Sequence, residues 1–136
     1  MQALILAGGK GTRLRPLTVY TPKPIVPVVN RPFLLYQIEV LRAADITDIT
    51  LSLSYQPDKI EHILGDGSEF GVKLRYITEP SPMGTGGAYK FAADALGETT
   101  VVFNGDILTS VDITKIVDFH TAKAAAATIE IGRAHV

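Results

Sequence analysis

Short strand-like runs alternate along the chain with stretches that repeat apolar residues at helical spacing. Residues 3–7 (Ala-Leu-Ile-Leu-Ala) are apolar at every position, the pattern of a strand covered on both faces. Runs at 49–53, 73–77 and 100–103 predict three more strands, and 125–131 a fifth. Between them, 32–44 places Leu34, Ile38 and Leu41 on one helical face, with Pro32 suited to a first turn. Residues 58–64 predict a shorter helix. Residues 87–96 predict an Ala-rich helix that stops near Gly97, and 112–123 one with Ile113, Ile116 and Val117 on a single face. Phe33, Tyr36, Phe91 and Phe103 are expected in the core. This alternation predicts an α/β fold with a mostly parallel sheet and helices on both faces. Such sheets bind ligands beyond the carboxyl ends of their strands.

The segment following the first strand carries the most chemistry. It reads Gly8-Gly9-Lys10-Gly11-Thr12-Arg13-Leu14-Arg15-Pro16-Leu17-Thr18. Glycines permit a sharp turn and close approach of backbone N–H groups to a ligand, and successive N–H groups form an anion-binding nest. Lys10, Arg13 and Arg15 add positive charge, so a triphosphate is the natural ligand. Two better-known phosphate motifs fail. No Gly-Lys-Ser/Thr occurs, which excludes a P-loop. The dinucleotide fingerprint lacks its third glycine, because Leu14 follows Arg13, and Tyr55 and Gln56 stand where an acidic residue should close the second strand. Next, Lys23 sits between Pro22 and Pro24. The rings stiffen the segment, and Pro24 pushes Lys23 toward extended backbone.

Two later segments add candidates. Glu79-Pro80-Ser81-Pro82-Met83-Gly84-Thr85-Gly86-Gly87 predicts a rigid, closely approached loop before a helix that starts near Gly87. The fourth strand runs into Asn104-Gly105-Asp106, which puts an aspartate where such folds bind ligands. Mg²⁺ prefers carboxylate oxygen and bridges to substrate phosphates, so Asp106 is the candidate metal ligand. His62, His120 and His135 lack metal-ligand spacing and are expected at the surface or at helix ends.

Composition narrows the function. Of 136 residues, 46% are hydrophobic and 20% charged, which suits a globular domain. A net charge of −1 argues against broad nucleic-acid or membrane-surface binding but permits a small anionic ligand. Without cysteine there can be no disulfide, thiolate metal site or cysteine nucleophile. A cytoplasmic location is expected.

Leu-Ala-Gly-Gly-x-Gly-Thr-Arg-Leu-x-Pro-Leu-Thr followed by Pro-Lys-Pro, over residues 4–28, resembles the signature of sugar nucleotidyltransferases, and the likeness continues to about residue 128. The resemblance implies a Rossmann-like three-layer α/β/α fold and transfer of a nucleotidyl group from a nucleoside triphosphate to a sugar 1-phosphate, releasing pyrophosphate. It implies that Leu6, Ala7, Gly8, Gly9, Gly11, Thr12 and Arg13 hold the nucleotide, that Glu79, Gly84 and Thr85 read its base, that Arg13 and Lys23 are catalytic, and that Asp106 holds Mg²⁺. Glu79 stands where thymidylyltransferases of the family carry glutamine. A carboxylate only accepts, and guanine offers two adjacent donors. GTP is therefore favoured, with mannose 1-phosphate as acceptor. A glucose-1-phosphate thymidylyl-, uridylyl- or adenylyltransferase is the alternative, and a nucleotide-binding module without activity is a reading of another class.

In the family a sugar-binding half should begin near Glu130. Residues 1–129 are accordingly expected to be the nucleotide-binding part of the domain. Residues 130–136 are expected to be a non-native tail, because one back-translation of them closely resembles a common sequencing-library adapter. Self-association through an exposed sheet edge is expected as well.

Overall fold

The computed structural model describes residues 1–97 and 99–131. Four strands form one parallel sheet: β1 (Gln2–Leu6), β4 (Asp48–Leu53), β5 (Lys73–Thr78) and β6 (Thr100–Asn104), in the order β5-β4-β1-β6. A two-stranded antiparallel ribbon, β2 (Pro27–Val28) with β3 (Arg31–Pro32), lies outside it. The helices are α1 (Phe33–Ala43), α2 (Pro57–Leu64), α3 (Gly84–Ala92) and α4 (Ile113–Ala122).

Pairing register explains the core. Ala3 stands between Ile49 and Val101, and Ile5 between Leu51 and Phe103, with Leu74 and Tyr76 beyond on β5. Lateral neighbours in a sheet share a face. That face meets Leu34, Ile38 and Leu41 of α1, Ile60 and Leu64 of α2 and Ile113 of α4 in one apolar cluster. The opposite face, with Leu4 fully buried, is met by α3, which buries Ala88 and Ala92. Helices thus cover both faces, as the strand–helix alternation predicts. None among the described residues is long and apolar enough to cross a membrane.

Four expectations change. Residues 125–131 form no strand. They follow α4 irregularly, with Thr128 Oγ1 2.9 Å from His120 Nδ1, and no described strand pairs with β6 on its outer side. A strand without a ladder partner leaves its backbone groups to solvent and gains nothing over irregular chain. The third helix starts at Gly84 rather than near Gly87 and gives way to a 3-10 turn at Ala93–Ala95. Phe91 is 42% exposed instead of buried, because it points away from the small Ala88/Ala92 contact with the sheet. Lys23 opens a 3-10 turn (Lys23–Ile25), and the extended backbone lies one residue earlier, at Pro22 with ψ 138°.

Tyr76 gives the fold a titrating element. Its hydroxyl donates to the Gly65 carbonyl at 2.5 Å. Burial, then the nearby Glu61 and Asp66 carboxylates, push its pKa from 10.0 up to about 12. A raised folded-state pKa means the neutral form is favoured by folding. That stability is complete below about pH 10 and lost as pH rises through about 12. Urea midpoints measured from pH 9 to 12 should fall more steeply for the parent chain than for Tyr76→Phe, which cannot ionise there. Parallel limbs would refute this.

Candidate functional site

The carboxyl ends of all four sheet strands open into one cavity of about 370 Å³. Leu6, Ala7, Gly8 and Gly9 line it from β1, Ser54 from β4, Glu79 from β5, and Asn104, Gly105 and Asp106 from β6. The chain leaves β1 toward β4 on one side and later returns to β6 on the other. The cavity therefore lies at the point where strand order reverses, the usual crevice for ligands in open parallel sheets. Lys23 and Pro24 form another wall, and Pro82, Met83, Gly84, Thr85 and Ala88 the last.

Close packing sets the floor. Gly105 N–H donates to the Leu6 carbonyl at 2.8 Å, and a Cβ at Gly105 would lie 2.8 Å from that oxygen and 2.9 Å from Ala7 Cβ. Only glycine permits β6 to lie this close to the end of β1. Gly8 is confined likewise: a Cβ there would stand 2.9 Å from Ser54 Oγ and 3.0 Å from Glu79 Oε1. Ser54 Oγ also donates to the Gly8 carbonyl, pinning the loop's first residue to the end of β4.

The charged residues meet here. Lys23 Nζ lies 2.6 Å from Asp106 Oδ2, although 83 residues separate them in sequence. Both side chains remain partly exposed, at 25% and 45%. An ion pair this wet is worth about 0–1 kcal/mol, so either partner can exchange the other for a ligand at small cost. Glu79 is buried. Its Oε1 accepts from Ser52 Oγ at 2.8 Å and its Oε2 from the Met83 N–H at 3.2 Å. The N–H groups of Gly84, Thr85 and Gly86, in the first turn of α3, have no partners within the helix and carry its positive dipole end, and Gly84 and Thr85 face the cavity.

Of the residues proposed from sequence, Leu6, Ala7, Gly8, Gly9, Lys23, Glu79, Gly84, Thr85 and Asp106 line this one cavity. Gly11, Thr12 and Arg13 do not. Thr12–Leu14 is an exposed 3-10 turn beside it, and Gly11, at φ 63°, packs against Lys23 Cβ while Thr18 Oγ1 donates to its carbonyl at 2.6 Å. Gln37 of α1 was not foreseen. It is 1% exposed, and its Nε2 donates to the carbonyls of Asn104 at 2.7 Å and Ile107 at 2.6 Å, either side of Asp106. The available signal was a polar residue on the apolar face of the helix, beside Leu34, Ile38 and Leu41.

The family model described as nucleotidyl transferase matches residues 2–136. The chain belongs to that family. Among its relatives, the mannose-1-phosphate guanylyltransferase of Mycobacterium tuberculosis is 42% identical over 134 residues, which is 98% of this chain and 37% of that protein. The chain thus spans little over a third of the curated relatives it matches. Solved nucleotidyl transferase relatives share the fold. A Bacillus anthracis protein provisionally assigned as a glucose-1-phosphate thymidylyltransferase superposes with a TM-score of 0.83 at 35% identity, over 90% of this chain and 50% of its own. HddC from Yersinia pseudotuberculosis, complexed with GMP-PN, gives 0.75 at 37% identity, over 88% and 53%. The resemblance read from residues 4–28 and the family match agree, and the parallel sheet with its strand-end cavity is the Rossmann-like arrangement that resemblance implied.

Proposed function

We propose that this chain is the nucleotide-binding part of an enzyme that transfers a guanylyl group from GTP to mannose 1-phosphate and releases pyrophosphate. One observation carries the reading: Lys23, Asp106, Glu79 and the Gly8-Gly9 turn converge on a single strand-end cavity. The relatives' names supply the substrates as a proposal for this chain.

In the reaction a phosphate oxygen of the sugar 1-phosphate attacks the α-phosphorus. The bond from that phosphorus to the bridging α–β oxygen breaks, and its electron pair leaves on pyrophosphate. A phosphate monoester with a second pKa near 6 is already anionic at neutral pH, so no serine, cysteine or histidine has to be activated. The protein's task is positioning and charge stabilisation. The backbone at Gly8-Gly9 and the first turn of α3 approach the phosphates and base. Lys23 leaves Asp106 and neutralises charge at the transferring phosphate, and Arg13, on its neighbouring turn, holds the departing phosphates. Asp106 is one carboxylate open to the cavity, and among the described residues no group of three acidic or histidine side chains could cage a metal. That donor set suits Mg²⁺, which takes one or two carboxylates plus substrate phosphates. When bound, the ion supplies charge neutralisation across the phosphates.

Glu79 reads the base in this proposal. Each carboxylate oxygen has committed one acceptor site, to Ser52 and to Met83, and keeps another for guanine's ring N–H and amine. Pyrophosphate release by the enzyme carrying this sequence should be fastest with GTP and mannose 1-phosphate among the common nucleoside triphosphates and hexose 1-phosphates. Faster release with dTTP and glucose 1-phosphate would overturn that choice in favour of a thymidylyltransferase. Glu79→Gln should lower kcat/KM for GTP at least about tenfold, since a hydrogen bond to a charged group is worth about 1.5–3 kcal/mol. An unchanged value would remove Glu79 from base recognition.

A further inference from the structure

We propose that Gln37 is a positioning residue for Asp106. The geometry is unusual for a buried amide. Gln37 lies inside α1, among core leucines, yet it sends both N–H groups of Nε2 out of the helix. They reach the Asn104 carbonyl at 2.7 Å and the Ile107 carbonyl at 2.6 Å. Those two residues bracket Gly105-Asp106. The Ile107 N–H also donates to the Asn104 carbonyl at 3.3 Å, closing a turn around the aspartate. The amide's orientation is fixed by its partners, because two carbonyls require two donors. Its Oε1 has no hydrogen-bond partner from the protein among the described residues.

Beyond the Asn104 end of the β6 ladder, the turn is tied to β1 by the Gly105 N–H to Leu6 carbonyl bond, and the polar partner of the Asp106 carboxylate among the described residues is Lys23, which a substrate would draw away. Gln37 therefore links the turn to the rigid α1 face of the core and holds the backbone from which the Asp106 carboxylate projects, whether or not Lys23 is paired with it. Groups that orient a metal ligand typically control metal affinity by about 10- to 100-fold.

The inference rests on reading Asp106 as the metal carboxylate, and the test separates the two. Binding of GTP to the chain is measured with Mn²⁺, by water-proton relaxation, and without metal in excess chelator. Gln37→Met keeps the side chain's length and removes both donors. It should weaken Mn²⁺·GTP binding about 10- to 100-fold and leave metal-free GTP binding unchanged. Gln37→Leu, which suits the surrounding apolar face, should do the same and guards against a folding defect in the first variant. Ile38→Val, a packing change one residue along, should move neither affinity. Equal weakening with and without metal, or none, would overturn the role of Gln37. Asp106→Asn must selectively weaken the Mn²⁺ complex. If it does not, the metal reading itself fails, and the positioning role with it.

Discussion

Replacing Lys23 by alanine is expected to slow nucleotidyl transfer about 10²- to 10³-fold, the usual loss when one preorganised charge-stabilising donor is removed. The substitution deletes the only side-chain cation lining the cavity among the described residues and leaves the Asp106 carboxylate without a partner. The effect should fall on kcat at saturating GTP and mannose 1-phosphate, because charge at the transferring phosphorus grows toward the transition state. Global stability should change little, since the Lys23–Asp106 pair is partly exposed. Asp106→Asn should be similarly damaging, and the double variant should lose far less than the product of the two losses, as groups acting on one centre do. Pyrophosphate release by the enzyme carrying this sequence is the measurement. A loss under about tenfold for Lys23→Ala would remove it from the chemistry.

The second large effect lies in the core. Leu51 is fully buried on β4, between Ile5 of β1 and Tyr76 of β5, and faces α1 and α2. Leu51→Ala should lower unfolding free energy by about 2–5 kcal/mol. That is a large fraction of the about 5–15 kcal/mol typical of a domain. The sheet cannot collapse to fill the gap, because hydrogen bonds to both neighbours fix the β4 backbone. Leu14, 42% exposed in the turn beside the cavity, provides the contrast: Leu14→Ala should stay within about 0.5 kcal/mol. Urea denaturation of the two variants measures both. Equal midpoints would mean that the sheet is not the stability centre.

Much of the fold was legible because its core obeys local rules. Ala3 to Ala7 is apolar throughout, and a central parallel strand requires that. Leu34, Ile38 and Leu41 mark the buried stripe of α1 by spacing alone. What stayed hidden depended on partners distant in sequence. The 125–131 segment has strand-like residues but no paired neighbour. The β2–β3 ribbon turns at Val29 and Asn30, at φ 50° and 59°, and a β-branched residue is a poor sign of such a turn. At the site, the glycines, Lys23, Glu79 and Asp106 stand out in sequence because their residue types suit the proposed phosphate, base and metal contacts. The contact between Lys23 and Asp106 and the reach of Gln37 to the far end of β6 arise only from the folded topology.

The place of β1 in the sheet also bears on how the chain is made. Leu6 pairs with Ser52 on one side and Asn104 on the other. At a synthesis rate of about 5–20 residues per second, the first strand waits several seconds for its second neighbour. β1, apolar at every position from Ala3 to Ala7, precedes both its neighbours in the chain and is therefore the later of the two central strands to be paired on both edges. Throughout that interval it is an open strand edge, the kind of surface that nascent chains aggregate through and that chaperones bind. The arrangement that places the Gly8-Gly9 turn at the centre of the sheet thus leaves β1 an exposed edge for longer than β4 during biosynthesis.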